Sequence, residues 1–293
     1  MAIVGAGRLG TFLAVALHRA GFTITEILTR DSARSRRRAR ALAARVGAQV
    51  VTPHRAVPQA TLLWFCVPDR EIQKTASAIA DRLAASAAVN KKGRSQNGVP
   101  GRFRFAFHSS GALLSGELEP LRKAGAAVAS VHPLMTFVAG APPALTGVPF
   151  AIEGDDAATR LARRIVRELG GESFSLPPSG KAAYHAWATL TSPLLLAFLV
   201  TLEEAARAAG LAREDARHKS LPIIRQTLAN YSRLGPARSF SGPLIRGDAE
   251  TVTKHLTVLK KHPEVREVYV ALARSALRVL PVKNREELQR LLS

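Results

Sequence analysis

The stretch Ile3-Val4-Gly5-Ala6-Gly7-Arg8-Leu9-Gly10 decides the fold of this chain. A short apolar segment leads into the spacing G-x-G-x-x-G, and an amphipathic helical pattern follows it and stops at Gly21. In a strand–turn–helix unit, these glycines permit a tight turn, close approach of a pyrophosphate to the backbone, and close packing of helix on strand. The helix N-terminus then attracts the phosphates. The motif therefore predicts a dinucleotide site formed by Gly5, Ala6, Gly7, Arg8, Leu9 and Gly10.

Composition limits the class of protein to which this chain can belong. Its 293 residues suggest about two domains, and 47% hydrophobic residues are enough for sizeable cores. A single cysteine, Cys66, excludes an internal disulfide and a cysteine-based metal cluster, so we expect no bound metal and a reducing, cytoplasmic location. We also expect no signal peptide and no apolar run long enough to span a membrane, and hence no membrane contact.

The balance of charge is unusual, because 42 Lys and Arg stand against 22 Asp and Glu, a formal net charge of +20. Such a charge can attract nucleic acid. However, the basic residues are dispersed, aromatic residues make up only 5% of the chain, and no helix-turn-helix or zinc-finger spacing is present. We therefore expect anionic small molecules as ligands and no specific binding of nucleic acid.

The segment that follows the second predicted strand, 23–28, selects the cofactor. It has the sequence Thr29-Arg30-Asp31-Ser32. An acidic residue here usually binds the ribose 2′-hydroxyl of NAD, whereas Arg30 suits the 2′-phosphate of NADP. Asp31 is the competing acid, but its position one residue beyond Arg30 favours a role as the N-cap of the next helix. We expect NADP, with Thr29, Arg30 and Ser32 in the cofactor site.

The remaining patterns predict an α/β fold with a Rossmann-type doubly wound parallel sheet, followed by an all-α C-terminal domain. Further strands are expected at 48–51, 61–67, 103–107 and 127–131, and a strand–helix–strand unit at 148–175. Long helices are expected at 181–209, 213–234, 249–261 and 265–279, with a short one from Arg285. The domain boundary is expected near Pro177, which gives a cofactor domain at 1–177 and a helical substrate and dimerisation domain at 178–293. The basic, glycine-rich stretch 90–104 predicts an exposed loop.

Residues at the ends of the central strands are candidates for contact with cofactor and substrate, because the carboxyl ends of such strands line the crevice. Val67 and Pro68 follow one strand and are expected beside the nicotinamide. His108-Ser109-Ser110-Gly111 follows the next, and we expect Ser109, Ser110 and Gly111 to bind a polar substrate group. His132 follows a third strand and can exchange a proton near neutral pH, although either histidine could instead stabilise a turn.

The helical domain adds further candidates. Lys181, His185 and Ser192 recur at spacings of four and seven residues, so they share one helix face. Pro193 should kink or break this helix. Arg246, in a later Gly-Pro turn, is either a surface residue or a binder of a substrate carboxylate.

The motifs that occur in order along the chain resemble a family of two-domain bacterial proteins. They are AIVGAGRLG (2–10), TRDS (29–32), WFCVPD (64–69), HSSGAL (108–113), VHPLMTF (131–137), K-x-x-YH (181–185) and SGPLIRGD (241–248). The family has a Rossmann-like N-terminal domain and a helical C-terminal domain of unassigned function, and its members are labelled NADP oxidoreductases of the deazaflavin-dependent type. The resemblance covers nearly the whole chain and implies a fold like that of 6-phosphogluconate and 3-hydroxyisobutyrate dehydrogenases.

The resemblance also implies roles for particular residues. In the dehydrogenases, a lysine on the first helix of the helical domain acts in proton transfer beside an amide or imidazole; Lys181 and His185 match that placement. His132 matches the histidine that touches the substrate hydroxyl in prephenate dehydrogenases, and residues 241–248 are similar to a segment of pyrroline-5-carboxylate reductases. Pro193 departs from the pattern, because relatives carry Asn there.

Two hypotheses follow from the residues and the resemblance. The first is a homodimeric, NADP-dependent oxidoreductase that transfers a hydride to or from a small oxo/hydroxy or imino acid, with Lys181, His132 or His185 moving the proton. The second is a regulatory or sensor protein that binds NADPH without turnover, which the departure at Pro193 favours.

Overall fold

The computed structural model describes residues 1–52, 57–92, 103–141 and 143–293, with the backbone alone at residues 87–92. Its strands are β1 (Ala2–Val4), β2 (Glu26–Leu28), β3 (Gln49–Val51), β4 (Leu62–Phe65), β5 (Phe105–His108), β6 (Ala127–Pro133), β7 (Pro149–Gly154) and β8 (Glu172–Ser175). The helices are α1 (Arg8–Arg19), α2 (Ala33–Val46), α3 (Asp69–Lys92), α4 (Glu119–Lys123), α5 (Asp156–Glu168), α6 (Lys181–Thr191), α7 (Pro193–Arg207), α8 (Arg213–Leu234), α9 (Pro236–Ser239), α10 (Pro243–Arg246), α11 (Ala249–Leu259), α12 (Pro263–Val279) and α13 (Arg285–Leu291).

The eight strands form one sheet in the order β3-β2-β1-β4-β5-β6-β7-β8. Strands β1 to β6 are parallel, in the order typical of a Rossmann fold, so the predicted doubly wound sheet is confirmed. Strand β7 runs antiparallel to β6, and β8 is parallel to β7. The sequence patterns do not predict this reversal. It follows from the connection: no helix is described between β6 and β7, and a parallel neighbour requires a longer crossover.

Helices cover both faces of the sheet, as the apolar strands predicted. Residues of α1, α2 and α5, such as Leu17, Leu42 and Ile165, pack with Ile3 and Trp64 on one face. On the other face, α3 and α4 pack against alternate strand residues that include Val4 and Phe65. Because side chains alternate along a strand, β1 and β4 are buried on both sides and hold the fingerprint turn rigidly.

Several boundaries differ from the predicted ones. Strand β2 begins at Glu26 rather than at residue 23, and β4 ends at Phe65 rather than at Val67. Helix α3 extends to Lys92 and so includes the start of the predicted loop 90–104, most of which lies outside the described residues. Helix α8 has the predicted bounds, and β8 ends at Ser175, the predicted end of the strand–helix–strand unit.

By contacts between residues, the chain forms two compact units, Met1–Ala188 and Thr189–Ser293. The predicted break at Pro193 is confirmed, because α6 ends at Thr191 and α7 begins at Pro193. In the second unit, α11, α12 and α13 share a small core that includes Val252, Leu277 and Leu288. The predicted boundary near Pro177 lies where the strands end and the helices begin. Lys181, beyond this point, still contacts Ser130 of β6 and belongs to the first compact unit.

The expectation about apolar runs needs a correction. Residues Pro178–Arg207 form a 30-residue stretch that contains 18 consecutive residues with mean hydropathy 1.5, none of them buried, and it is long and apolar enough to cross a membrane. Length and composition alone are weak grounds for a span. The break at Ser192 divides this stretch, and Lys181 near its start is buried against the sheet.

Candidate active site

The fingerprint turn lies between β1 and α1 and requires glycine at two positions. Gly5 has φ +105°, and a Cβ there would lie 2.7 Å from the carbonyl oxygen of Cys66. A Cβ on Gly10 would lie only 1.9 Å from the carbonyl oxygen of Gly5. Close packing of α1 against the turn therefore excludes any side chain at these two glycines.

Gly7 differs from the other two, because the protein itself leaves room for a side chain there. A Cβ on Gly7 would meet only the carbonyl oxygen of Cys66, at 3.9 Å, and the residue is exposed. Gly7 caps α1 without a side-chain hydrogen bond, and the first turn of the helix carries no acidic residue. The first N–H groups of α1 thus face an open surface at the positive end of the helix dipole, which fits a pyrophosphate. Ala6 and Leu9 beside it are half-buried, and Arg8 is exposed.

The end of β2 presents one exposed cation. Thr29 is buried, and its N–H donates to the carbonyl of Val51, whereas Arg30 is exposed. Ser32, not Asp31, caps α2: its hydroxyl accepts from the N–H of Ser35 at 3.3 Å. The expected capping role of Asp31 is therefore wrong; its carboxylate forms an ion pair with Arg36 instead. This ion pair makes the Asp31 carboxylate less available to bind a ribose hydroxyl.

The end of β4 adjoins the fingerprint turn. A Cβ built on Gly5 would lie 2.9 Å from the Cγ1 atom of Val67, so this side chain packs closely against the turn. Pro68 is exposed one residue further on. Both residues follow β4 at the carboxyl edge of the sheet, where the sequence analysis expected them.

The two serines after β5 are engaged by the protein itself. The Ser109 hydroxyl accepts from the indole N–H of Trp64 at 2.9 Å and is buried. The Ser110 hydroxyl donates to Asp69 Oδ2 at 2.9 Å and accepts from the N–H groups of Ala112 and Leu113. These contacts stabilise the turn that follows β5. The residue types of the two serines favour substrate binding and do not predict these contacts. Positioning of this turn is the role that the geometry supports for Ser109 and Ser110.

His108 is likewise structural. Its Nδ1 accepts from the N–H of Ser110 at 3.1 Å, and its Nε2 lies 2.9 Å from the carbonyl oxygen of Leu114. Because one partner can only donate and the other can only accept, the ring proton is on Nε2. Burial lowers the pKa of His108 to about 4, so the ring is neutral at neutral pH.

His132, at the end of β6, and the buried Tyr184 of α6 form a polar pair. His132 Nδ1 lies 2.6 Å from the Tyr184 hydroxyl, and the two rings meet edge to face. Burial lowers the pKa of His132 to about 4, with a smaller contribution from the positive charges of Lys181, His185 and His108. Burial also raises the pKa of Tyr184 to about 12. Both groups are therefore neutral at neutral pH.

Gly111 explains how His132 and His185 come close to each other. A Cβ on Gly111 would lie 2.8 Å from His132 Nε2 and 2.8 Å from His185 Cδ2. The absence of a side chain there lets both imidazoles pack directly against Gly111, where a Cβ would clash with them. These converging imidazoles are the best candidates for substrate contact within the first unit.

Lys181 is near enough to His132 for its charge to act on the imidazole. It is only 3% exposed, and its Nζ donates to the Ser130 hydroxyl at 2.5 Å. Burial lowers the pKa of Lys181, while the carboxylates of Glu153 and Asp69 act in the opposite direction. Glu153 pairs with Ser130 across β6 and β7 and accepts from the N–H and hydroxyl of Ser115. Lys181 is thus held in a buried polar network.

The structure brings most of the predicted catalytic residues together. His132, His185, Gly111 and Lys181 belong to one cluster in the first unit. Ser192 lies at the break between α6 and α7, so helical spacing does not hold it on the face of Lys181. Ser192 and the exposed Arg246 belong to the second unit, and their roles stay predictions.

Three partners were missed by sequence reasoning. Tyr184 is three residues after Lys181 on α6, so helical periodicity could have placed it beside the lysine. Ser130 is two residues before His132 and thus shares its face of β6. Glu153 gave no local signal, because its position opposite Ser130 depends on the antiparallel pairing of β7.

Two known protein families match successive parts of the chain. Residues 1–133 match a family described as a Rossmann-like domain, and residues 148–276 match a domain of unknown function, DUF2520. The chain thus carries a Rossmann-like segment followed by a segment similar to DUF2520. This agrees with the expected resemblance to proteins that combine a Rossmann-like part with a C-terminal part of unassigned function. The second match begins at Val148, one residue before β7, where the sheet reverses direction. A comparison with curated protein sequences gives no match.

Solved structures share the fold across nearly the whole chain. BF3122 from Bacteroides fragilis, described as a candidate NADP oxidoreductase, has a TM-score of 0.71 at 23% identity over 94% of this chain and 96% of its own. TM1727 from Thermotoga maritima has a TM-score of 0.70 at 23% identity over 99% and 98%. A reductive aminase from Aspergillus terreus, solved with NADPH and ethyl-5-oxohexanoate, has a TM-score of 0.60 at 17% identity over 94% and 93%.

Proposed function

We propose that this protein is an NADP-dependent oxidoreductase acting on a small oxo/hydroxy or imino acid. The observation that carries the proposal is Gly7: the protein leaves open space there, next to an uncapped helix N-terminus, while Gly5 and Gly10 are required by packing. A pyrophosphate accounts for that space. The presence of NADPH in a protein of the same fold supports this choice of ligand.

The preference for NADP rests on Arg30. Its guanidinium is exposed at the end of β2, beside Thr29 and the helix cap Ser32. Its planar fork matches the oxygens of a 2′-phosphate, and the nearby Asp31 is paired with Arg36. Bound NADP would supply the hydride or accept it.

The residues of this chain would supply orientation and proton movement. We assign His132 to the substrate oxygen or nitrogen, because its half-buried ring lies at the end of β6 with Nε2 next to Gly111. The Tyr184 hydroxyl lies against the other ring nitrogen, and the exposed His185 also packs against Gly111. Lys181 donates to Ser130, and burial lowers its pKa, so we assign it as a further candidate for moving the proton.

One observation favours a different function, that of an NADPH-binding sensor without turnover. The hydroxyls of Ser109 and Ser110, the ring of His108 and the ammonium of Lys181 all bind other groups of the protein. Few polar groups of the site are thus free to bind a substrate. The two functions differ in turnover and agree in cofactor binding.

A paired measurement separates them. NADPH binding is followed by fluorescence titration, and NADPH oxidation is then followed at saturating cofactor with a panel of 2-oxo acids and cyclic or acyclic imines. The oxidoreductase predicts tight binding with turnover of at least one class. Tight binding with no turnover in either direction supports the sensor, and loss of both contradicts the cofactor assignment itself.

We further propose that the protein is a homodimer in the cytoplasm. Helices α7 and α8 expose large apolar side chains, among them Leu196, Ile223, Leu228 and Tyr231, each more than half exposed. Exposed apolar patches of this kind mark interfaces. Light scattering of the purified chain tests the dimer, and aspartate at Leu196 and Ile223 should yield monomers. Detergent-dependent solubility would instead support membrane contact of residues 178–207.

A further inference from the structure

An apolar groove of about 1010 Å³ follows helix α1 on the face of the sheet that α1, α2 and α5 cover. We call it the α1 groove. Phe12 and Val15 of α1, Leu42 of α2, and Leu145 line it. Phe137, which follows β6, adds a second aromatic ring, with its centroid 5.2 Å from that of Phe12.

Most of the groove lies away from the proposed cofactor site. Its lining begins at the fingerprint turn, with Gly7 and Arg8, and extends along α1 to Arg19 and Ala20. Eleven residues of α-helix correspond to roughly 16 Å. A dinucleotide in this fold crosses the carboxyl ends of the strands, so it does not fill a groove that follows α1 towards their amino ends.

The groove carries unbalanced positive charge. Arg8, Arg19, Arg38 and Arg45 line it, all four exposed, and none has an ion-pair or hydrogen-bond partner among the residues that the structure describes. The acidic residue in the lining, Glu168, is paired with Arg164 at 3.8 Å. Anionic groups would therefore complement the groove.

Two of the arginines lie at the same end. Helices α1 and α2 both follow parallel strands of the sheet, so they run in the same direction. Arg19 is the last residue of α1, and Arg45 lies in the last turn of α2. They therefore mark the end of the groove opposite the fingerprint turn.

We propose that the α1 groove binds a small organic anion that joins an apolar acyl or aryl body to a carboxylate or phosphate head. The body would pack on Phe12, Phe137 and Leu42, and the head would bind Arg19 and Arg45. The volume is at the upper end of the range for small-molecule sites. Guanidinium groups suit both heads, because their planar donors match paired oxygens.

The test uses the full chain with bound NADPH and three calorimetric probes: decanoate, decyl phosphate and decanol. We expect both anions to bind and decanol to bind at least tenfold more weakly. Arg19→Glu and Arg45→Glu should each weaken the anions about ten- to a hundredfold, the loss expected for a charged hydrogen bond. Arg40→Glu is the matched control, because Arg40 is an exposed arginine of α2 outside the lining, and it should change affinity less than twofold.

A second variant tests the apolar part independently of charge. Ala41 is exposed and lines the groove, so Ala41→Trp should obstruct it and weaken both anions at least tenfold while leaving NADPH affinity unchanged. Equal binding of decanol and decanoate would overturn the proposal, as would equal losses in Arg40→Glu and Arg45→Glu. Displacement of NADPH by decyl phosphate would place the anion in the cofactor site, and binding only to phosphatidylglycerol vesicles would indicate a membrane surface. Both of these results contradict a separate groove site.

Discussion

His132 Nδ1 lies 2.6 Å from the hydroxyl of Tyr184, although 52 positions separate the two residues in the chain. Since burial raises the pKa of Tyr184 to about 12, the hydroxyl keeps its proton and can donate it to Nδ1. The neutral ring then carries its own proton on Nε2, the atom that lies next to Gly111. His132 would thus present a hydrogen-bond donor to a substrate oxygen.

Tyr184→Phe should release this constraint on His132. We expect the ¹⁵N NMR signals of His132 to shift from a single Nε2–H tautomer to a mixture, with stability lowered by about 1 kcal/mol, the net value of a hydrogen bond. The control is Tyr269→Phe, because Tyr269 contacts His255 Nδ1 at 3.1 Å in a similar edge-to-face pair in the second unit. Unchanged His132 signals in Tyr184→Phe would contradict the assigned tautomer.

Gly7→Val should abolish binding of NADP(H) and NAD(H) and leave the protein folded. The protein offers space for a side chain at Gly7, so only a ligand would meet the added methyl groups. Gly10→Ala is the contrasting variant: its Cβ would lie 1.9 Å from the Gly5 carbonyl oxygen, so it should lower the melting temperature. Calorimetry that shows wild-type NADPH affinity in Gly7→Val would place the phosphates elsewhere.

Arg30→Ala should weaken NADP(H) binding by about 1.5–3 kcal/mol, the loss of a charged hydrogen bond, and should hardly affect NAD(H). Arg40→Ala provides a control, because it removes an exposed arginine from α2. Fluorescence titration of both cofactors against each variant measures the difference. Equal losses for the two cofactors would show that Arg30 does not distinguish them.

Lys181→Met should leave NADPH affinity nearly intact and lower turnover by roughly two to four decades, the usual scale for a lost general acid–base group. Methionine replaces the aliphatic part of the buried side chain but cannot donate to Ser130. Ser130→Ala is the companion variant, because it removes the lysine's partner and retains the ammonium. If turnover survives in Lys181→Met, His132 or His185 carries the proton.

Stability should fall in acid because of His108 and His132. Their pKa values are lowered to about 4 from 6.5, so between pH 4 and 6.5 the unfolded chain binds more protons than the folded one. The free energy of unfolding should therefore rise with pH across this window and lose the histidine contribution below it. His132→Gln should reduce the slope by up to about 1.4 kcal/mol per pH unit relative to the wild type. Urea denaturation at a series of pH values gives the slopes, and equal slopes in His132→Gln and the wild type would contradict the assignment.

The sequence by itself determined the features that depend on neighbouring residues. The glycine spacing gave the turn, apolar runs gave the central strands, and Pro193 gave the break between α6 and α7. These signals are local because backbone geometry, proline sterics and side-chain periodicity act over a few residues. The order of strands in the Rossmann part then followed from the alternation of strands and helices.

Only the tertiary structure decided which side chains of the site are free. Ser109 and Ser110 have the residue types of a substrate site, but Trp64 and Asp69 engage them from other elements. Lys181 is buried and donates to Ser130, which lies 51 positions earlier in the chain. Such contacts depend on the register of β6 and β7 and on the packing of α6 against the sheet. Residue type shows which chemistry a side chain can perform, whereas the partners that packing brings to it decide whether it is available to a substrate.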